Sequence, residues 1–328
     1  MRLHIKIFFI GLLIFCFSKV QAQEKYEYVV AQDGSGDFTS IQKAIDACKI
    51  FPDGRITIHV KNGIYKEKVA ILAGNTQLSI IGESVDKTII TFDDYFNKIN
   101  RGRNSTFYTY TLKVDASDFR LENMTVENTA GPVGQAVALH VEGDRCMFVN
   151  CRFLGNQDTV YAAGKFSRQY FFNCYIEGTT DFIFGEGTAL FEECIIHAKA
   201  NSFLTAASTS EGKPFGFVFL NCKITADSGL DKVYLGRPWR GFAKVAFLSC
   251  EMGKFIIPEG WDNWSKTENE KTARFVEYNN SGEGAATDHR VGWSVKLDKK
   301  EASRFTKENI FTPVGWEIVS EKKWYDIN

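Results

Sequence analysis

A short phrase of alternating apolar and polar positions returns along the middle of the chain. Its copies are Phe148-Val-Asn-Cys151-Arg-Phe153, Phe171-Phe-Asn-Cys174-Tyr-Ile176, Phe191-Glu-Glu-Cys194-Ile-Ile196, Phe219-Leu-Asn-Cys222-Lys-Ile224 and Phe247-Leu-Ser-Cys250-Glu-Met252. An earlier version, Leu121-Glu-Asn-Met124-Thr-Val126, carries Met in place of Cys. From Met124 onward the copies are 27, 23, 20, 28 and 28 residues apart. Alternation with a period of two predicts that each phrase is a short strand.

A repeat of this length predicts one coil of a right-handed parallel β-helix, an all-β solenoid whose cysteines stack along the inside. One coil cannot bury its apolar face alone, whereas stacked coils share a continuous core with successive strands ~4.8 Å apart. The period is too short for a propeller blade, and no leucine-rich signature accompanies it. A flat sandwich with Greek-key turns is the alternative, but paired hairpin signals such as Asn-Gly are missing between the repeated strands.

Both ends of the chain depart from this repeat. After a predicted strand that begins at Tyr28, a short helix is indicated by apolar positions on one face before Pro52, namely Ile41, Ala44, Ile45 and Cys48. We expect this helix to cover the N-terminal edge of the solenoid. Beyond residue 252 the repeat fades into a polar tail that we expect to fold back along the solenoid, and its tryptophans are Trp261, Trp264, Trp293 and Trp316. Residues 23–328 are therefore expected to form a single domain.

The first 22 residues have the pattern of a secretory signal peptide. Arg2 and Lys6 precede an apolar run of about 11 residues, and a Val-x-Ala cleavage site ends at Ala22. The run is too short to span a bilayer as a helix, so no stable membrane anchor is expected. We expect the mature chain to be exported to the periplasm, the cell surface or the medium.

Composition narrows the class of protein further. The 328 residues are 44% hydrophobic and carry a formal net charge of −1, so no basic stripe points to a nucleic-acid partner. Removal of Cys16 with the signal peptide leaves seven cysteines, an odd number that argues against a disulfide framework. We expect them to act as small buried hydrophobes. The sequence contains no cysteine or histidine cluster with zinc spacing, and no metal or organic cofactor is expected.

Two aspartates at equal offsets from the repeated cysteines give the functional clue. Asp158 follows Cys151 by seven residues, and Asp181 follows Cys174 by seven. Stacked coils would bring the two carboxylates to about one strand spacing, ~5 Å. Like charges at that distance cannot both ionise easily, so one pKa rises and the pair divides into a proton donor and an ionised group. The alternative is an aspartate ladder produced by repetition alone.

Three further polar groups favour a site over a bare ladder. Gln157, which precedes Asp158, and Gln135, which lies 23 residues upstream of Asp158, would be neutral amide donors suited to a developing oxyanion. Arg237 precedes Pro238 and can hold one carboxylate ionised and oriented.

Five segments of the chain form an ordered set of motifs. They are Gly63-Ile-Tyr65-Lys-Glu67, Gln135-Ala-Val-Ala-Leu139, Gly155-Asn-Gln-Asp158-Thr-Val-Tyr161, Gly178-Thr-Thr-Asp181-Phe-Ile-Phe-Gly185 and Leu235-Gly-Arg237-Pro-Trp239. Weaker pieces accompany them, such as Asp33-Gly-Ser-Gly-Asp37 and Asn128-Thr-Ala-Gly-Pro132. In type and order these segments resemble the signature motifs of the pectin methylesterase (pectinesterase) family, and the resemblance extends from about Tyr28 to Trp316.

The resemblance implies a carbohydrate esterase that removes methyl groups from the C6 carboxyl esters of polygalacturonate. The implied partner is methyl-esterified polygalacturonate, no cofactor is implied, and a monomer is expected. Asp181 would be the nucleophile, Asp158 the general acid and then the base, and Arg237 the group that orients Asp181. The oxyanion would be stabilised by Gln157 and Gln135. The sugar rings would stack on Tyr161, Phe184, Tyr234 and Trp239.

Other functions on the same scaffold have weaker support in the sequence. A pectate lyase would be expected to show a cluster of acidic calcium ligands and an arginine base, and no convincing cluster is present. A polygalacturonase would carry Gly-His-Gly and Arg-Ile-Lys motifs, which are missing, and an inverting one would hold its carboxylates ~6.5–9.5 Å apart. A sugar-binding solenoid without catalytic activity would keep the aromatic residues and could lose either aspartate, whereas this chain retains both aspartates. The main alternative is an esterase or thioesterase of the same fold that acts on a non-pectin ester.

Overall fold

Short strands that alternate among three sheets dominate the structure. The computed structural model describes residues 25–312 and 323–327. Its strands are β1 (Glu27–Val30), β2 (Ile56–Val60), β3 (Gly63–Lys66), β4 (Val69–Ile71), β5 (Leu78–Gly82), β6 (Thr88–Phe92), β7 (Leu112–Val114), β8 (Arg120–Glu122), β9 (Thr125–Asn128), β10 (Leu139–Val141), β11 (Cys146–Val149), β12 (Arg152–Leu154), β13 (Val160–Ala162), β14 (Arg168–Phe172), β15 (Tyr175–Gly178), β16 (Ile183–Gly185), β17 (Thr188–Glu192), β18 (Ile195–Ala198), β19 (Phe203–Ala207), β20 (Phe217–Leu220), β21 (Lys223–Ala226), β22 (Tyr234–Pro238), β23 (Lys244–Leu248), β24 (Glu251–Met252), β25 (Arg274–Tyr278) and β26 (Val295–Lys296).

The described helices are short. The α-helices are α1 (Ile41–Ala47), α2 (Phe96–Ile99), α3 (Lys299–Ala302) and α4 (Lys307–Phe311). The 3₁₀ helices are Gly102–Tyr108, Asn269–Lys271 and Glu283–Ala285. None of the helices within residues 25–312 and 323–327 is long and apolar enough to cross a membrane.

Each sheet collects strands from successive coils, and its neighbouring strands run parallel. The eleven-stranded sheet has the order β1-β2-β5-β8-β11-β14-β17-β20-β23-β25-β26. The eight-stranded sheet has the order β3-β6-β9-β12-β15-β18-β21-β24, and the seven-stranded sheet has the order β4-β7-β10-β13-β16-β19-β22. From β8 to β24 the chain visits the sheets in rotation, so one coil contributes a strand to each. The architecture is the predicted parallel β-helix.

The repeated phrase is not one strand, as its alternation predicts, but two strands joined by a sharp bend. In the coil that contains Cys151, β11 ends at Val149, β12 begins at Arg152, and Asn150 between them has a left-handed backbone with φ of 50°. Asn173 and Asn221 repeat this conformation in later coils. Asparagine enters the left-handed region more readily than most residues. A period-two pattern therefore continues across a corner that hydrophobicity alone does not reveal.

Two ladders of side chains fill the interior. The first residues of the phrases stack ring on ring, with centroids 4.6 Å apart for Phe148 and Phe171 and 4.4 Å apart for Phe219 and Phe247. The cysteines of the phrases form the second ladder, each at most 2% exposed, and they are Cys151, Cys174, Cys194, Cys222 and Cys250. The cysteines among the described residues are free thiols that point at backbone carbonyl oxygens, as expected for small buried hydrophobes.

Both predicted end structures are present. Helix α1 packs against β1 and β4, which are edge strands of two sheets, and thereby covers this end of the solenoid. At the other end of the chain, Phe311 of α4 packs on the outer face of the eleven-stranded sheet against Tyr170, and the Arg168 guanidinium donates to the Phe311 carbonyl oxygen at 2.7 Å. The predicted signal peptide and Trp316 lie outside the described residues.

Glu67, the last residue of the first signature motif, holds the cap onto the solenoid. Its carboxylate accepts hydrogen bonds from the Ser40 hydroxyl at 2.8 Å and from the backbone N–H groups of Ile41 and Gln42 at 2.9 and 3.0 Å. These groups are the start of α1, where backbone N–H groups lack helical partners and a negative charge is favourable. The motif is therefore architectural in this chain.

We expect Glu67→Ala to lower the free energy of unfolding by about 1–3 kcal/mol, because it leaves two helix N–H groups and a hydroxyl without their acceptor. Glu67→Gln, which keeps one oxygen acceptor, should lose less. Denaturant unfolding measures both, with Glu211→Ala at an exposed position as the control. A Glu67→Ala variant as stable as the control would contradict this role.

Candidate active site

The two aspartates are neighbours in adjacent coils, at the entrance to the seven-stranded sheet. Val160 of β13 pairs with Ile183 of β16, and each aspartate lies two residues before its strand. The ladder continues through them, since the Asp158 N–H donates to the Thr180 carbonyl oxygen at 3.2 Å. Both backbones are left-handed, with φ of 66° for Asp158 and 51° for Asp181. Residues held in such sparsely populated conformations cluster at functional sites.

Arg237 reaches Asp181 from β22, two strands further along the seven-stranded sheet. Its Nε donates to Oδ1 of Asp181 at 3.0 Å, and its Nη2 donates to Oδ2 at 2.7 Å. The planar guanidinium thus binds both carboxylate oxygens, an arrangement that fixes the orientation as well as the charge of the acid.

The environments of the two carboxyls differ. Both are nearly buried, at 8% exposure for Asp158 and 6% for Asp181. Burial and the negative charge of Asp181 raise the pKa of Asp158 well above its usual range, and Arg237 opposes this only in part. Burial also raises the pKa of Asp181 above its usual range, and the hydrogen bonds and charge of Arg237 oppose that rise only in part. Because Asp158 accepts no hydrogen bond from the described side chains, it is the better candidate to hold a proton.

The two glutamines come from adjacent coils. Gln157 directly precedes Asp158, and its carbonyl oxygen accepts from the N–H of Ala136, the residue after Gln135, at 3.1 Å. The pairing of Leu139 with Val160 gives an offset of 21 residues between these coils, so Gln135 is displaced from the register of Gln157 by one position. Both glutamines line the same cleft as the aspartates.

That cleft is open, with a volume of about 620 Å³, and it combines polar groups with aromatic walls. Phe184 and Trp239, two of the four predicted sugar-stacking residues, line it. The other two are half-buried beside aromatic neighbours: Tyr161 stacks on Phe184 with centroids 4.6 Å apart, and Tyr234 stacks on Phe203 with centroids 5.0 Å apart.

A second wall of the cleft has no counterpart in the sequence predictions. It comes from α2 and the 3₁₀ helix Gly102–Tyr108, inserted between β6 and β7, and its lining residues are Phe96, Arg103, Asn104, Thr106 and Phe107. Arg240 and Trp264 complete the lining from the C-terminal side. The inserted segment belongs to no repeat and shows no periodicity, so no signal in the sequence pointed to it. Trp264 was visible only as one of several tail tryptophans.

Fold and cleft together define a parallel β-helix protein with a paired-aspartate site on the outer face of its seven-stranded sheet. The pectinesterase family model matches residues 27–313. Pectinesterase 31 of Arabidopsis thaliana is 41% identical over 292 residues, which cover 87% of this chain and 92% of that protein. The chain belongs to the pectinesterase family and is an enzyme of that family. It spans about half the length of other curated relatives, some of which are named as combined pectinesterase and pectinesterase inhibitor.

Solved structures agree with this placement. The pectin methylesterase from carrot superposes with a TM-score of 0.81 at 33% identity, over 87% of this chain and 92% of that one. A pectin methylesterase in complex with a hexasaccharide superposes with a TM-score of 0.75 at 27% identity, over 90% of this chain and 99% of that one. Both the fold and the extent of the matched region are therefore those of pectin methylesterases.

We expect Asp158→Asn to raise the thermal unfolding temperature at neutral pH, by about 2 °C or more. An acid whose pKa is raised by folding contributes its full stability below its ordinary pKa and loses it as the pH rises through the raised value. Asparagine is neutral throughout, so the gain should shrink toward zero near pH 4. Thermal scans at pH 4 and pH 7.5 measure this, with Asp288→Asn at an exposed position as the control. An equal or lower melting temperature at pH 7.5 would show that folding does not raise the pKa of Asp158.

Proposed function

We propose that the chain hydrolyses the C6 methyl esters of polygalacturonate to pectate and methanol, with Asp181 as nucleophile and Asp158 as general acid and base. Membership of the pectinesterase family supports the reaction. The single observation that carries the assignment of roles is the double hydrogen bond from Arg237 to Asp181, beside a second buried carboxyl that has no such partner.

The first half-reaction follows from that asymmetry. The ionised Asp181 carboxylate attacks the ester carbonyl carbon, and the carbonyl oxygen becomes an oxyanion that the amides of Gln157 and Gln135 stabilise. As the intermediate collapses, the bond to the methoxy oxygen breaks, and Asp158 gives its proton to that oxygen so that methanol leaves. The product is an anhydride between Asp181 and the sugar carboxyl. Because a carboxylate is a weak nucleophile, proton donation to the leaving group is essential.

The second half-reaction restores the enzyme. Asp158, now ionised, takes a proton from water, whose oxygen attacks the sugar carbonyl carbon of the anhydride. The bond to the Asp181 oxygen breaks, which leaves ionised Asp181, protonated Asp158 and a galacturonic acid that then releases its proton to solvent as the carboxylate. Throughout the cycle Arg237 holds Asp181 in one orientation and stabilises its charge.

The shape of the cleft suits a polymer. It is open at the surface and carries aromatic side chains, among them Phe184 and Trp239, that can pack against sugar rings. The structural relative crystallised with a hexasaccharide supports an oligosaccharide-sized site. We further propose that residues 23–328 form one exported, monomeric catalytic unit after cleavage near Ala22, and that no cofactor is needed.

We expect Asp181→Ala to abolish turnover, because no other group can form the anhydride. Gln135→Ala should lower kcat about 10²–10³-fold and leave a measurable remnant, since Gln157 still faces the oxyanion. Methanol release from methyl-esterified polygalacturonate measures both against the wild type. Equal residual activity in the two variants would contradict this ranking of roles. No methanol from the wild type at any degree of esterification would favour a non-pectin ester as the substrate.

The dependence of kcat/KM on pH should be bell-shaped. Acylation needs Asp181 ionised and Asp158 protonated, so activity falls at low pH as Asp181 gains its proton and at high pH as Asp158 loses its own. Because the pKa of Asp158 is raised well above that of an ordinary aspartate, the alkaline limb should lie well above pH 4. A fully esterified oligomer, which has no uronate carboxylate to titrate, is the substrate for the measurement. Activity that stays constant up to the pH of unfolding would mean that Asp158 does not supply the proton.

A further inference from the structure

The guanidinium of Arg237 is enclosed by two aromatic rings. Its Cζ atom lies 3.9 Å from the ring centroid of Phe203 and 3.7 Å from that of Trp264. Two rings this close to the same atom would overlap if they shared one side, so they cover opposite faces of the planar group. The edge of the guanidinium then remains free, and that edge carries the two hydrogen bonds to Asp181.

The Phe203 side of this sandwich belongs to the solenoid. Phe203 begins β19 and pairs with Tyr234 of β22, and the two rings stack with centroids 5.0 Å apart. The N–H of Asp181 donates to the Phe203 carbonyl oxygen at 2.8 Å. Phe203 is therefore fixed by the same strand ladder that carries the nucleophile.

The Trp264 side comes from a strained turn outside the repeat. Trp264 and Ser265 are consecutive non-glycine residues in the left-handed region, with φ of 61° and 54°. The Asp262 carboxylate accepts the Trp264 N–H at 2.6 Å, and the Asp262 N–H donates to the carbonyl oxygen of Gly236 at 3.1 Å. Gly236 directly precedes Arg237, so the turn is tied to the strand that carries the arginine. Strain of this kind persists only where surrounding contacts impose it.

We propose that Trp264 is a positioning residue that, together with Phe203, clamps the Arg237 guanidinium in the plane required for its double hydrogen bond to Asp181. An arginine side chain has many rotamers, and ordering it against one carboxylate loses that freedom. Two ring faces remove most of the alternatives and add cation–π attraction. The inference rests on the proposed function, because it assigns to Trp264 an effect on the nucleophile and not merely contact with sugar.

The decisive variant is Trp264→Ala. We expect kcat for methanol release to fall about 10–100-fold with a smaller change in KM, because the nucleophile is misplaced in the bound complex. The acid limb of the kcat profile should move up by about 0.5 pH unit, since a loosely held arginine stabilises ionised Asp181 less well. The charged groups that face Asp181, namely Asp158, Arg237 and Asp262, are unchanged by the substitution. Trp264→Phe, which keeps a ring, should recover most of the loss.

Trp239→Ala is the matched control. Trp239 lines the same cleft but packs on Phe184 and Arg240 instead of Arg237, so its loss should raise KM and leave the acid limb in place. If Trp264→Ala behaves like Trp239→Ala, with a higher KM and an unmoved limb, Trp264 is a sugar-contact residue and the proposal is wrong.

A crystal structure of Trp264→Ala tests the clamp without any assay. We expect at least one of the two Arg237–Asp181 hydrogen bonds to lengthen beyond 3.5 Å. Retention of both at their present lengths would overturn the proposal. A wild type without activity on pectin would count against the proposed substrate alone, since this structural comparison does not depend on it.

Discussion

In-register pairing between successive coils is the constraint on which the rest of this structure depends. It places residues at equal positions of adjacent coils one strand spacing apart, as shown by the rings of Phe148 and Phe171 stacked inside the solenoid. The same register places Asp158 beside Asp181, although burial and mutual repulsion both disfavour two ionised acids there. A continuous core and uninterrupted ladders on both sides hold the pair in place. Two surface side chains could move apart to relieve this repulsion. Here the two side chains are held in place, so the repulsion helps to raise the pKa of Asp158.

Repetition alone would make the two aspartates alike. The groups that make them different come from other parts of the chain than the two coils that carry Asp158 and Asp181. Arg237 arrives from a strand two coils beyond Asp181, so it reaches one carboxylate and not both. Its clamp is built from one ring of the solenoid, Phe203, and one ring of the tail, Trp264. The difference between the two carboxyls thus comes from groups that do not recur in both coils, superimposed on a repeat that supplies the proximity.

This explains how much of the structure was predictable. The spacing of the phrases was sufficient for the parallel β-helix, the internal cysteines and the neighbouring aspartates, because stacking converts sequence offset directly into spatial proximity. The bend at Asn150 was not predictable from alternation, since a left-handed residue turns the chain without interrupting the apolar pattern. The wall around Arg103 and Asn104 and the clamp by Trp264 depend on where non-repeating segments fold. No periodic signal encodes where those segments fold.

The residues of the signature motifs fall into two groups: those that line the cleft and those that hold parts of the fold together. Glu67 secures the cap, far along the chain from either aspartate. The buried Asn128 amide donates toward the carbonyl oxygens of Asp94, Thr109 and Val137, and so joins the inserted wall to the segment that carries Gln135. Gln135 is displaced by one position from the register of Gln157. One side of the cleft is therefore built by the solenoid, while the segment that carries Gln135 also depends on contacts with the inserted wall, among them the Phe96 N–H that donates to the Gln135 carbonyl oxygen at 2.9 Å.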